Sequence, residues 1–448
     1  MLLLLLTLLC GITARVEARS DTATHNYNLI DPFIGSVNGG NAFAGASLPF
    51  GMAKAVADVS AQDTAGWSYD FTNVTGFSAL HDSGTGGNPS MGNFPFQPPV
   101  DTPRAKPGYF SLGLENGVNV EIDSHGAYRP IQLSLRDKRD CIDWDLAYEA
   151  VVNDAENEPF DWGVERCGGL QSWKRLGYIP DDFCVAAIAR RLGKGAEYEK
   201  YLERSTNWLN MYRANQTSYW LNGAATGGFT GFLQPRYANG TWRYQDPVEC
   251  SPLDQFCSYS SNPKETFEST KHTRKSASLH SRVRARLADL LPLPGIWEYQ
   301  FYVPQNQAQL VTTLRGPERF VALLDYVHTL GLLDIGNEPS ELTTYQYHYA
   351  GRPGRSAYRV HTYMPSTFNA SANGLPGNDD SGASGSFLPF AMSGIFPVAE
   401  QNVYLQNPPF FERVSYTSPL TNNTATMSDV NFEPTYERIY IQNATLDG

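Results

Sequence analysis

Residues 374–382 read Gly-Leu-Pro-Gly-Asn-Asp-Asp-Ser-Gly and set two neighbouring carboxylates, Asp379 and Asp380, in a stretch with almost no bulk. Like charges this crowded hold a proton, a cation or a reacting water between them. The same residue types also favour plain surface turns. The reading therefore depends on which other segments could bring partners to the pair.

The N-terminal third is built for strands. Residues 19–127 carry short aromatic or β-branched runs punctuated by Gly, Pro, Asn and Asp, with no sustained helical period. Tyr109-Phe110-Ser111-Leu112-Gly113-Leu114 and Val118-Asn119-Val120-Glu121-Ile122 are expected to form a hairpin around Glu115-Asn116-Gly117. The middle is expected to be helical. Asp181 and Asp182 offer a cap for a helix over 183–192 that Gly193 would end, and 196–212 repeats Tyr198, Tyr201, Leu202, Leu209 and Tyr212 at helical spacing. Residues 317–330 read as a third helix, with Phe320, Leu323, Leu324 and Val327 on one face. From about residue 395 short β-like runs return, the last being 438–442.

Composition narrows the class. Apolar residues make up 41% of 448, enough for a sizeable core, and aromatics reach 12%, which suits both β-rich cores and stacking on sugar rings. A net charge of −12 argues against nucleic acid or an anionic membrane as partner. A leucine run over 2–9 and small residues up to Ala18 read as a secretory signal, and no later apolar run is long enough for a membrane anchor. Sequons at Asn73, Asn215, Asn239, Asn369, Asn422 and Asn443 fit a secreted glycoprotein. Beyond Cys10 in the leader, Cys250 and Cys257 are spaced for a small local disulfide loop. One segment departs from the acidic background: residues 271–295 carry Lys271, Arg274, Lys275, Arg282, Arg284 and Arg286 against a single acid, Asp289.

Taken together, several blocks resemble glycoside hydrolase family 92, the secreted calcium-dependent α-mannosidases. They are Asp31-Pro32-Phe33-Ile34-Gly35, Gly40-Asn41-Ala42-Phe43-Ala44-Gly45, Leu48-Pro49-Phe50-Gly51-Met52, Gly76-Phe77-Ser78 with His81, Asp143-Trp144-Asp145, Gly336-Asn337-Glu338-Pro339-Ser340, Tyr349-Ala350-Gly351-Arg352-Pro353 and the 374–382 loop. The resemblance implies an α+β multidomain fold. It would comprise a partial N-terminal antiparallel β-sandwich (19–138), a partial (α/α)6-toroid-like barrel (139–392) and a small C-terminal β region (393–448). It also implies inverting hydrolysis of α-linked mannose, in N-glycans or mannans, by two carboxyl groups about 6.5–9.5 Å apart.

Residue by residue, the resemblance makes Asp380 the general base, with Asp379 as its rival. The general acid falls on Glu268, because excising 271–295 joins Glu268-Ser269-Thr270 to Ile296-Trp297-Glu298-Tyr299 at the family's spacing. Residues 271–295 then read as an insertion, such as a retained intron would supply, and Glu298 is the alternative acid. Asn41, Trp67, His81, Asn337, Glu338 and Asn378 are carried over as sugar-binding residues. Ca2+ is expected on oxygen donors from Asn337, Glu338 and Asp379. The chain departs from the family near 128–140 and 178–182, where stretches are missing. A second reading is therefore a sugar-binding or inert remnant.

Overall fold

The computed structural model describes residues 25, 28–37, 40–45, 56–59, 67–68, 74–78, 81, 104–106, 109–113, 119–123, 144–157, 170–171, 174–220, 222–234, 236–237, 240–242, 244–249, 251–253, 295–379, 382–398, 401, 403–417 and 421–446. The leader, the Cys250–Cys257 pair and nearly all of 271–295 lie outside them. The chain divides into two units: residues 1–135 with 369–382, and residues 136–368 with 383–448.

Alternating β-branched and aromatic residues build the first unit. Strand β1 (Val56–Val59), buried at every position, pairs antiparallel with β2 (Val74–Ser78). Strands β3 (Arg104–Lys106), β4 (Tyr109–Gly113) and β5 (Asn119–Asp123) form a three-stranded meander. Its β4–β5 ladder runs from Tyr109↔Asp123 to Gly113↔Asn119, as the hairpin reading requires. Val56, Ala57, Val59 and Val74 from one sheet and Ala105 and Phe110 from the other join Trp67 in a single apolar cluster. Trp67 is 5% exposed and lies 6.3 Å from the Phe110 ring, so it is a core side chain of this unit.

The second unit is mostly helical. Helices α1 (Trp144–Asn157), α2 (Lys174–Arg191) and α3 (Gly195–Arg204) share a cluster of Tyr148, Val185, Ala186, Ala189 and Tyr201. Two helix boundaries differ from the sequence reading. Helix α2 begins at Lys174 and passes through Asp181 and Asp182. Asp182 does not cap it. Its buried carboxylate takes Arg204 Nη2 at 3.0 Å, a contact that local spacing cannot reveal. Gly193 does end this helix, at φ 73°, with Lys194 N donating to Ala189 O at 2.9 Å. The expected helix over 196–212 stops at Arg204. There the Ser205 and Thr206 hydroxyls each donate at 2.7 Å to carbonyls of the last turn, Leu202 O and Glu203 O. A 3-10 turn (Asn207–Met211) follows, and Tyr212 opens a strand.

That strand, β7 (Tyr212–Tyr219), pairs with β8 (Ala225–Leu233) in a hairpin that the sequence reading missed. A two-residue pair, β6 (Leu170–Gln171) with β9 (Arg236–Tyr237), lies in the same half of the chain. The main core gathers Trp208 and Phe232 with α4 (Ile296–Tyr299), α5 (Gln307–Thr313) and α6 (Pro317–Leu330). Helix α6 has the predicted bounds. Pro317 opens it, Gly331 at φ 70° closes it, and Phe320, Leu323, Leu324 and Val327 are all buried. Helices α7 (Glu338–Thr343), α8 (Pro353–Thr367) and α9 (Ala383–Ser393) follow. Strands β10 (Ile395–Pro397) and β11 (Tyr404–Gln406) pair, as do β12 (Arg413–Thr417) and β13 (Thr424–Ser428). The β-like run at 438–442 forms no strand.

Candidate functional site

The first group of candidate residues lies in the unit of residues 1–135 and 369–382. Here the opening block of the chain grips the acidic loop. Val37 N donates to Ala372 O at 3.1 Å, Asp379 N donates to Gly40 O at 2.7 Å, and Asn41 Nδ2 donates to Asn378 Oδ1 at 2.5 Å. Gly40 and Gly374 let each of the two segments turn tightly on itself. A Cβ on Gly40 would stand 2.2 Å from Gly35 O, and one on Gly374 would stand 2.0 Å from Asn369 O. Asp379 is buried, at 9% exposure, and its carbonyl accepts from Gly382 N at 3.1 Å. Asn41 and Asn378, both expected on the sugar, each commit a polar atom to the other. His81 is buried, with Nε2 2.8 Å from Asp58 Oδ1 and its ring 5.9 Å from Phe43.

The second group lies in the other unit. Glu298, in the single turn of α4, is 2% exposed. Its Oε1 accepts from Asn337 Nδ2 at 2.9 Å and from Ser340 Oγ at 2.5 Å. Burial pushes the Glu298 carboxyl up to about 8, with Asp334 adding to the rise, although the bonds from Ser340 and Asn337 favour the charged form. Asn337 occupies the N-cap of α7, but its side chain makes no capping bond and is spent on Glu298 instead. Glu338 and Pro339 form the first turn of that helix. Burial also raises the Asp334 carboxyl, which accepts from Gly336 N at 2.9 Å. Further along α7, the buried Glu341 takes Ser384 Oγ at 2.9 Å.

Glu268 and Asp380 lie outside the described residues. Among those described, no three His, Cys, Asp or Glu side chains gather as a metal centre. The remaining donors suit a hard cation in kind. With the Asn337 amide nitrogen turned to Glu298, Asn337 and Glu338 of one unit offer side-chain oxygens, as does Asp379 of the other.

Two relationships escaped sequence reasoning: the Glu298–Asn337–Ser340 cluster and the Asn41–Asn378 bond. A partial signal was present in the recurrence of Gly-Asn at 40–41, 87–88, 92–93, 336–337 and 377–378, since three of these five asparagines, Asn41, Asn337 and Asn378, take part in one of them.

Known proteins resemble the chain along most of its length. The family model described as the glycosyl hydrolase family 92 N-terminal domain matches residues 29–125, and that of the family's catalytic domain matches residues 126–448. A protein of Arthroderma benhamiae named as an uncharacterized secreted glycosidase is 48% identical over 358 residues, covering 75% of this chain and 42% of that protein. The chain thus spans less than half the length of this relative. Among solved structures, the family 92 α-mannosidase of Bacteroides thetaiotaomicron in complex with mannoimidazole is similar at a TM-score of 0.63 and 14% identity, covering 91% of this chain and 90% of that one. The same enzyme solved without that compound gives a TM-score of 0.62 at 14% identity, covering 91% of this chain and 89% of that one. At this identity the likeness speaks for the fold. With both domain models matched in order over residues 29–448, this chain belongs to glycosyl hydrolase family 92.

Proposed function

We propose that this chain is a secreted exo-α-mannosidase that removes α-linked mannose, α-1,2 first among the linkages, from glycoprotein N-glycans or mannans with inversion. The observation that carries the reading is the acidic loop, intact in sequence within a chain that matches both domains of the family. A β-sandwich followed by an (α/α)6-type barrel is the architecture proposed to support it. Secretion is supported by the leucine-rich start and by the name of the fungal relative. Among the described residues no helix is long and apolar enough to cross a membrane.

In this mechanism the Asp380 carboxylate takes a proton from water as the water oxygen attacks the anomeric carbon. The bond from that carbon to the leaving oxygen breaks, and Glu268 donates the proton that the leaving oxygen needs. The products are mannose of inverted configuration and the shortened glycan. Asp379, buried and next to Asp380 in sequence, is the rival candidate for the base. Glu298, its carboxyl pushed up by burial, accepts from the Asn337 side-chain nitrogen and leaves the Asn337 side-chain oxygen for a ligand. Asn337, Glu338 and Asp379 are the candidate oxygen ligands for Ca2+. When bound, the ion would engage sugar hydroxyls and favour distortion of the ring.

Incubating the full chain with α-1,2-mannobiose tests the proposal. Release of mannose supports it. A folded chain that binds the disaccharide without cleaving it supports the second reading, a sugar-binding remnant. That alternative is favoured by the separation of Glu268 from Trp297 by residues 271–295.

A further inference from the structure

Asn41 has an unusual backbone. Its φ is 50°, in the left-handed region, where only Arg315, Asn422 and Tyr436 join it among the described non-glycine residues. Such a conformation persists where its surroundings over-determine it. At Asn41 those surroundings are the acidic loop. The preceding Gly40 carbonyl holds the amide of Asp379 at 2.7 Å, and the Asn41 side chain holds that of Asn378 at 2.5 Å. Two consecutive residues of the loop are thus pinned by two consecutive residues of the opening segment. One pin is a backbone bond and the other a side-chain bond.

We propose that Asn41 is a positioning residue rather than a sugar ligand. Its amide locks Asn378 so that Asp379, which follows, keeps one orientation. The left-handed backbone serves this purpose by turning the Gly40 carbonyl and the Asn41 side chain toward the same stretch. The catalytic consequence rests on the α-mannosidase reading, but the loop-holding role does not.

The variant that isolates the side chain is Asn41→Gly. Glycine adopts a positive φ without strain, so the backbone conformation is kept while the side chain is lost. The full chain and Asn41→Gly are compared by hydrogen exchange mass spectrometry of peptides covering 374–382, and by kcat and KM on an α-mannoside. In the variant, amides of that segment are expected to exchange roughly tenfold faster, while peptides from 317–330 stay unchanged. The expected kcat is roughly ten- to a hundredfold lower with KM little altered, because a misaimed base slows chemistry more than binding. Unchanged exchange in 374–382 would overturn the holding role. Faster exchange with unchanged kcat would overturn its catalytic consequence. A wild-type chain without mannosidase activity would refute the α-mannosidase reading instead, and the exchange comparison would still decide whether Asn41 holds the loop.

Discussion

Asn41 and Asn378 stand 337 positions apart in the chain, yet Asn41 Nδ2 donates to Asn378 Oδ1 at 2.5 Å. With the neighbouring bond from Asp379 N to Gly40 O, this makes the first described segment of the chain part of the acidic loop's support. In this chain the opening signature is therefore structural scaffolding for the acidic loop.

The tight turns within the two segments make a sharp stability test. A Cβ at Gly40 or Gly374 would meet a backbone carbonyl oxygen at 2.2 or 2.0 Å, and backbone has little freedom to retreat. Gly40→Ala and Gly374→Ala are each expected to destabilise the chain by at least about 2 kcal/mol in denaturant unfolding. Gly382→Ala is the control. Its φ is 90° and a Cβ there meets nothing within 4 Å, so only backbone strain of about 1–2 kcal/mol applies.

The pH dependence of folding should carry the mark of His328. This imidazole is buried, sits 2.8 Å from the Tyr363 hydroxyl and stacks at 6.0 Å on Tyr347. Burial, with Arg359 nearby, lowers its pKa from 6.5 to about 3. A depressed folded value means that the unfolded chain takes up the proton first as the solution is acidified. The contribution of His328 is therefore complete above about pH 6.5 and is lost as pH falls toward 3. Each pH unit in that window removes at most about 1.4 kcal/mol. His328→Gln should flatten this part of a plot of unfolding free energy against pH. An unchanged slope would contradict the assignment.

Glu298 separates shape from charge. Its Oε1 serves two donors, Asn337 Nδ2 and Ser340 Oγ, and a glutamine carbonyl can serve the same two. Glu298→Gln is expected to change stability by less than about 1.5 kcal/mol. Glu298→Ala strands both donors and should cost about 1–3 kcal/mol more. If the two variants unfold at the same denaturant concentration, the acceptor role is refuted.

Calcium has a readout that does not require catalysis. Chelator-treated protein titrated with Ca2+ should show a rising unfolding temperature, because a ligand bound only to the folded state stabilises it by mass action. The gain should shrink in Asn337→Ala or Asp379→Asn. Mg2+, which demands tighter octahedral geometry, should substitute poorly.

What the sequence disclosed follows from the range of the forces involved. Helix α6 was legible because its determinants are local: Pro317 at the start, Gly331 at the end and four core residues at helical spacing between them. The β4–β5 hairpin was legible for the same reason. The helix expected over 196–212 failed because a hydrophobic period continued past Ser205 and Thr206, whose hydroxyls close α3 on its own carbonyls. The Asp182 cap failed because Arg204 claims that carboxylate. In the site, Asp379 and Asn337 could be singled out by motif. Their supports could not, because a bond between Asn41 and Asn378 leaves no periodic trace, and Glu298, singled out only as an alternative acid, shows no sign in sequence of its bonds to Asn337 and Ser340.

The central claim is that this chain cleaves α-mannosidic bonds with Asp380 as base. It is tested most directly by measuring mannose release from α-1,2-mannobiose, with the anomer formed followed by proton NMR, for the full chain and for Asp380→Asn. The account expects release as the β-anomer by the unaltered chain and a loss of at least about a hundredfold in the variant. Equal release by both proteins, or release as the α-anomer, would contradict it.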